Sequence, residues 1–187
     1  MDSYLEIRLL SDPEFASSVL LNTLFGKLHR GLAEYGASNI GVCFPDVTKR
    51  PLSLGQRLRL HSSAADLVSL MSQGWLTGMR DHVAVSEIAT VPACVGYRVV
   101  RRVQAKSSPE RLRRRLIARK DLTAEQAVLA IPDSAAETLR LPFLTLKSLS
   151  TGQRFRLFIE HLPVQDQASP GSFSAYGLSA SATVPWF

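Results

Sequence analysis

Apolar residues at Leu5, Ile7 and Leu9 alternate with polar or edge positions, the period of a half-buried strand. Asp12-Pro13-Glu14 then reads as a helix start, with an acidic cap and proline in the first turn. Leu20, Leu24, Leu28 and Leu32 recur at helical spacing as far as Gly36, a natural C-cap. An apolar strand, Ile40 to Phe44, and an alternating strand, Arg57 to His61, come next. Ser62 or Ser63 caps a second helix over Ala64 to Met71 that ends near Gly74, and His82 to Ile88 supplies a fourth strand. The order β-α-β-β-α-β predicts a ferredoxin-like (RRM-like) domain, an arrangement common among RNA-binding proteins.

The character changes near Val95. A strand, Tyr97 to Gln104, leads to Ser107-Ser108-Pro109-Glu110, a further helix start, and a basic helix runs to about Lys120. Thr123-Ala124-Glu125-Gln126 is a capping box opening a short helix that Pro132 closes. Phe143 to Leu149 and Arg154 to Ile159 alternate around a turn and predict a hairpin. The tail from Ser169 is rich in Ser, Gly and Ala yet ends in Val-Pro-Trp-Phe, which predicts a docked end. The pattern as a whole predicts an α+β protein of two domains. Residues 1–94 would form the ferredoxin-like domain and residues 95–187 a small α+β domain carrying an arginine-rich helix.

Apolar residues make up 45% of the 187 and charged residues 20%, the balance of a folded protein and not of a disordered one. No apolar run approaches the roughly 20 residues that cross a bilayer, and the first residues lack the pattern of a secretory signal. Two cysteines far apart, Cys43 and Cys94, support neither a disulfide scaffold nor a zinc site. A cytoplasmic protein with no membrane partner is the expectation.

Charge adds a partner class. Ten cations between Arg98 and Lys120 face Glu110 alone, giving that window +9 of a total of +6 and leaving −3 elsewhere. Such a strip suits phosphate neutralisation, although a solvated charged helix has the same pattern. At 100° per residue Arg111, Arg114, Arg115 and Arg119 share an arc of about 140°, with Leu112 and Leu116 off one flank to dock the helix. In the extended segment Arg102-Val103-Gln104, Arg102 and Gln104 project from one face. Arg suits a guanine edge and Gln an adenine edge, and an ordinary polar strand face fits equally.

The histidines are His29, His61, His82 and His161, and no two have the i, i+4 spacing of a helical metal site. Carboxylates are sparse around them, so no metal or other cofactor is expected. RNA carries its own nucleophile, the 2′-OH, which an imidazole can activate near neutral pH. His29 lies about 100° from Leu28, toward the edge of the helix's apolar face. Periodicity there fits an ordinary packed histidine as well as a base.

Taken together, several stretches resemble the CRISPR repeat-processing endoribonucleases of type I-F systems, the Csy family. They are Phe25-Gly26-Lys27-Leu28-His29, Ile40-Gly41-Val42-Cys43-Phe44-Pro45, Arg102-Val103-Gln104-Ala105-Lys106, Pro109 to Leu116, Ser150 to Leu157, Tyr176-Gly177-Leu178-Ser179 and Val184-Pro185-Trp186-Phe187. The resemblance spans the chain in order. It implies binding of a CRISPR repeat stem-loop, in pre-crRNA and crRNA, and metal-independent cleavage at the 3′ base of the stem. That route leaves a 2′,3′-cyclic phosphate and a 5′-hydroxyl. By the resemblance His29 would abstract the 2′-OH proton, Ser148 would hold that hydroxyl and Tyr176 would orient the imidazole. Arg102 and Gln104 would read base edges at the stem foot, and Phe155 would stack under the terminal pair. Arg114, Arg115 and Arg119 would contact phosphates, supported by Arg111, Arg113, Lys106, Lys120 and Ser150. The chain departs from the family pattern at Ala118 and Lys120. Retention of the product within a type I-F interference complex, beside other Cas subunits, is the expected fate. The alternatives are an inactive hairpin-binding module and a DNA-binding protein.

Overall fold

A computed structural model describes residues 1–93, 96–104, 109–132, 139–148 and 152–187. Two compact units emerge, Met1–Val103 with Leu141–Phe187, and Gln104–Arg140.

In the larger unit, β1 (Ser3–Leu9) buries alternate residues as its pattern predicts. The first helix, α1 (Ser17–Tyr35), ends at Gly36 in the left-handed region (φ 74°), the conformation a glycine C-cap supplies. It starts four residues later than expected, its N-cap being Ala16 and not Asp12. Asp12 Oδ1 accepts from the Glu14 and Phe15 amides at 2.8 and 2.9 Å, and its Oδ2 pairs with His82 at 2.8 Å. Asp12 therefore closes a turn ahead of the helix and does not cap it. There follow β2 (Gly41–Cys43), the short pair β3 (Thr48–Lys49) and β4 (Leu52–Ser53), and β5 (Arg57–Ser62). Ser63 caps α2 (Ala64–Ser72), its side chain accepting from the Asp66 amide. Then come β6 (Val83–Val85), β7 (Ala89–Thr90) and β8 (Gly96–Val103). After the smaller unit the chain returns as β9 (Phe143–Lys147), β10 (Arg154–His161) and β11 (Thr183–Trp186).

Besides the two-stranded β3–β4 pair, two larger antiparallel sheets form among the described residues, giving a mixed α/β protein. One has the order β2-β5-β1-β6 with β7 also on β1, and the other the order β11-β8-β10-β9. The expected hairpin forms with Arg154 opposite Lys147 and Phe158 opposite Phe143. The docked tail is the edge strand β11, paired with β8.

A boundary at residue 94 does not match these units. Val100, Leu144, Leu146, Leu157 and Ile159 of the second sheet belong to one buried cluster with Leu5, Ile7, Leu24, Leu28 and Leu60 of the first sheet and α1. Strands that share a core fold together, and the composition change near Val95 marks the approach to the smaller unit, not a fold boundary.

That smaller unit holds α3 (Pro109–Lys120) and α4 (Ala124–Ala130). Both halves of the predicted capping box are present, Thr123 with the Gln126 amide and Gln126 with the Thr123 amide. Such a cap is worth about 1 kcal/mol. Leu112 and Leu116 are half-buried, while Arg111, Arg114, Arg115 and Arg119 are exposed.

Candidate active site

The i, i+4 spacing on α1 puts Phe25 and His29 one turn apart on the same face. Leu24 and Leu28 seat the helix in the core, Phe25 is buried beneath, and His29 emerges half-exposed. Opposite it lies a tight turn. The Ser174 amide donates to the Leu178 carbonyl at 2.9 Å and the Gly177 amide to the Ser174 carbonyl at 2.8 Å. Gly177 has φ 69°, and a Cβ there would come within 2.1 Å of Val42 Cγ2, so only glycine fits. The Val42 amide donates to the Gly177 carbonyl at 2.8 Å and ties the turn to β2.

This turn holds His29 in two ways. The Ala175 carbonyl lies 2.8 Å from His29 Nδ1. A carbonyl only accepts, so Nδ1 carries the proton, and in the neutral ring Nε2 keeps its lone pair. The Tyr176 ring stacks on the imidazole with centroids 4.0 Å apart and planes 10° from parallel, and its centroid lies 6.4 Å from that of Phe25 with planes 6° from parallel. Arg102 Cζ sits 5.7 Å from the Tyr176 ring centre and 6.0 Å from that of Phe155.

His29, Ser148, Phe155 and Tyr176 line one cleft of about 630 Å³. Ser148 enters it from the end of β9, where its amide donates to the Gln153 carbonyl and its carbonyl accepts from Gly152, both at 2.9 Å. Asn22 of α1 accepts from the Thr145 amide at 2.9 Å and fixes the β9 edge beside the helix. Arg30, Lys147 and Arg154 also line the cleft, and no carboxylate does among the described residues. Its field favours a polyanion. Among the described residues no His, Cys, Asp and Glu side chains cluster as metal ligands would.

The other histidines are engaged elsewhere. Burial pushes His61 and His161 down to about 3, and His82 is held by Asp12. The Cys43 thiol is pushed up to about 12 by burial, which keeps it unreactive.

The family described as "CRISPR-associated protein (Cas_Csy4)" matches residues 4–187. The chain belongs to the Csy4 family. Two curated relatives are each described as "CRISPR-associated endonuclease Cas6/Csy4", and both align over 100% of this chain and 100% of their own length. The one from Pseudomonas aeruginosa (strain UCBPP-PA14) is 55% identical over 187 residues, and the one from Escherichia coli (strain UTI89 / UPEC) is 50% identical. A solved structure described as "An RAMP protein binding different RNA substrates" covers 98% of this chain and 99% of its own, at 11% identity and TM-score 0.35.

In this Csy4-family chain the remaining expected contacts separate into groups. Arg102 and Phe155 lie on β8 and β10, Arg102 exposed and Phe155 half-buried against the core. Gln104 is exposed and begins the smaller unit. Arg111, Arg114, Arg115, Arg119 and Lys120 are exposed along α3. Arg113 turns inward, its Nε donating to the Ile131 carbonyl at 2.7 Å, where it caps the end of α4. Arg98 and Arg101 of the basic window are likewise engaged, Arg98 with the Leu162 carbonyl and the Trp186 ring, Arg101 with Glu160 at 2.8 Å. Lys106 and Ser150 lie outside the described residues.

Sequence reasoning missed Phe25, the Ala175 carbonyl, Lys147 and Arg154. Of these only Phe25 left a signal, its i, i+4 spacing from His29.

Proposed function

We propose that this chain is an endoribonuclease that binds the stem-loop of a CRISPR repeat and cuts at the 3′ base of the stem without a metal ion. The observation that carries the reading is the His29 Nδ1 to Ala175 carbonyl bond, which directs a basic Nε2 away from the turn. Nε2 takes the proton of the ribose 2′-OH, and O2′ attacks the adjacent phosphorus. A P–O2′ bond forms as the P–O5′ bond breaks and O5′ takes a proton from water, giving a 2′,3′-cyclic phosphate upstream and a 5′-hydroxyl downstream, and the imidazolium returns its proton to water. The Ser148 hydroxyl holds O2′ for attack. Tyr176 keeps the imidazole plane fixed, and cations lining the cleft offset charge on the phosphate. Such general-base help supplies about 10²–10⁴-fold.

Arg102 and Gln104 read base edges at the stem foot and Phe155 stacks under the terminal pair, while the exposed arginines of α3 contact stem phosphates. The strand order β2-β5-β1-β6, with α1 and α2 as the crossovers, supports a ferredoxin-like reading of the first sheet. Most binding comes from the stem, which cleavage leaves intact. The protein therefore keeps its crRNA and enters a type I-F interference complex with other Cas subunits in the cytoplasm.

The experiment pairs His29→Ala with a repeat hairpin carrying 2′-deoxyribose at the cleavage nucleotide. His29→Ala should bind the hairpin within a few-fold of wild type and lose cleavage by at least about 100-fold. The deoxy substrate should be bound and left uncut, and the normal substrate should be cut in EDTA. Undiminished cutting by His29→Ala removes the histidine from the reaction, and cutting of the deoxy substrate refutes the internal nucleophile. A wild type that binds and never cuts is the inactive hairpin-binding module.

A further inference from the structure

Strand alternation divides β9 and β10 into two faces. Leu144, Leu146, Leu157 and Ile159 point into the core. The opposite face is built from Phe143, Phe158, Lys147, Arg154 and Arg156. Phe143 is 42% exposed, and the three cations are exposed as well. Phe143 and Phe158 are ring neighbours at 5.4 Å, and Arg156 Cζ stands 4.7 Å from the Phe143 ring centre. The acid on this face, Glu160, is spent on Arg101 at 2.8 Å. Among the described residues no ion pair includes Lys147, Arg154 or Arg156.

Cations in a row ending in an aromatic pair, Phe143 exposed and Phe158 half-buried, are what single-stranded nucleic acid needs, since phosphates take the charges and any base offers a face to a ring. A protein partner of ordinary composition would leave three unpaired cations covered. The row also joins the cleft, because Lys147 and Arg154 line both. From Arg154 to Phe158 the face runs roughly 13 Å along the strand.

We infer that this face is a track for the unpaired nucleotides on the 5′ side of the stem. The inference rests on the reading proposed above. With Phe155 under the terminal pair, the two strands part at the end of β10. The 3′ strand passes to His29 and Ser148 on the α1 side. The 5′ strand leaves by the outer face, over Arg154 and Arg156 toward Phe143. Its contacts survive cleavage, because the 5′ flank stays joined to the stem.

The test uses the full chain and three RNAs, each with 2′-deoxyribose at the cleavage nucleotide: the bare repeat hairpin of the host's own array, the hairpin with a short unpaired 5′ adenylate tail, and the hairpin with the same tail at the 3′ end. The 5′ tail should tighten binding about tenfold, within the range of one stacked base. The double variant Phe143→Ala, Arg156→Gln should erase that gain, and should leave unchanged both affinity for the bare hairpin and cleavage of an all-ribose repeat RNA. Any gain from the 3′ tail, whose phosphates enter the cleft, should persist in the double variant. A wild type indifferent to the 5′ tail, a 5′-tail gain that survives in the double variant, or a 3′-tail gain that the double variant loses overturns the track. Failure of the wild type to bind even the bare hairpin sinks the parent reading, and the track with it.

Discussion

The Tyr176 ring covers one face of His29 and reaches it by stacking at 4.0 Å. A parallel aromatic contact of this kind is worth about 0.5–1.5 kcal/mol beyond buried area, and it needs the ring alone. The Ala175 carbonyl already fixes the tautomer, so the phenol is left with the task of holding the plane. Two substitutions separate ring from hydroxyl. Tyr176→Phe keeps the stack and should cut within about threefold of wild type. Tyr176→Ala removes it and should slow single-turnover cleavage roughly tenfold, the rate equivalent of the stacking range. Hairpin affinity should be unchanged in Tyr176→Phe, which keeps the ring that Arg102 faces. Equal slowing by the two variants would show that the hydroxyl, not the ring, is used.

Elements decide which arginines face solvent. On α3 the exposed arc carries Arg111, Arg114, Arg115 and Arg119, while Arg113 faces α4 and bonds the Ile131 carbonyl. Arg115→Ala should weaken hairpin binding and lower the slope of log affinity against log salt by about one. Arg113→Ala should leave that slope alone and lower unfolding stability by about 1–2 kcal/mol, the value of a charge-assisted hydrogen bond. A salt titration beside a denaturant melt distinguishes them. Helical spacing made the arc legible in the sequence, and the leucine edge with it. The inward turn of Arg113 was not legible, because its acceptor lies eighteen residues on, beyond a second helix. Other gaps have the same origin. Asp12 looks like a cap locally, and its use in a turn depends on His82, seventy residues away. The two-residue strands β3 and β7 are too short to show a period. His29 sits at the edge of an apolar stripe, where periodicity favours no role. Its two partners come from a turn 146 residues later, so the family resemblance singled it out where spacing could not.

At the scale of the molecule, both sheets and α1 share one core, and two imidazoles are buried with it. His61 is 0% exposed, and His161 packs between Phe44 and Trp186 at ring distances of 6.0 and 5.6 Å. Burial holds both near a pKa of about 3, against the 6.5 of a free imidazole. Between those limits the unfolded chain binds more protons than the folded one. Stability is therefore complete above pH 6.5 and falls as pH drops toward 3. From pH 7 to pH 5 each histidine should take away roughly 2 kcal/mol, a large share of the 5–15 kcal/mol of an ordinary domain. Asp66 acts lower on the scale. Hydrogen bonds from Ser63 and Tyr35 hold its carboxyl well below the usual range, so its contribution fades only in stronger acid. His161→Phe keeps an aromatic ring between Phe44 and Trp186 and removes one of the two protons. Denaturant midpoints should then agree with wild type within about 1 kcal/mol at pH 7. At pH 5 the variant should have lost roughly half of what wild type loses, about 2 kcal/mol against 4. Parallel losses in the two proteins would mean that His161 is protonated without unfolding, and that the acid sensitivity of the core lies with His61 or the carboxylates.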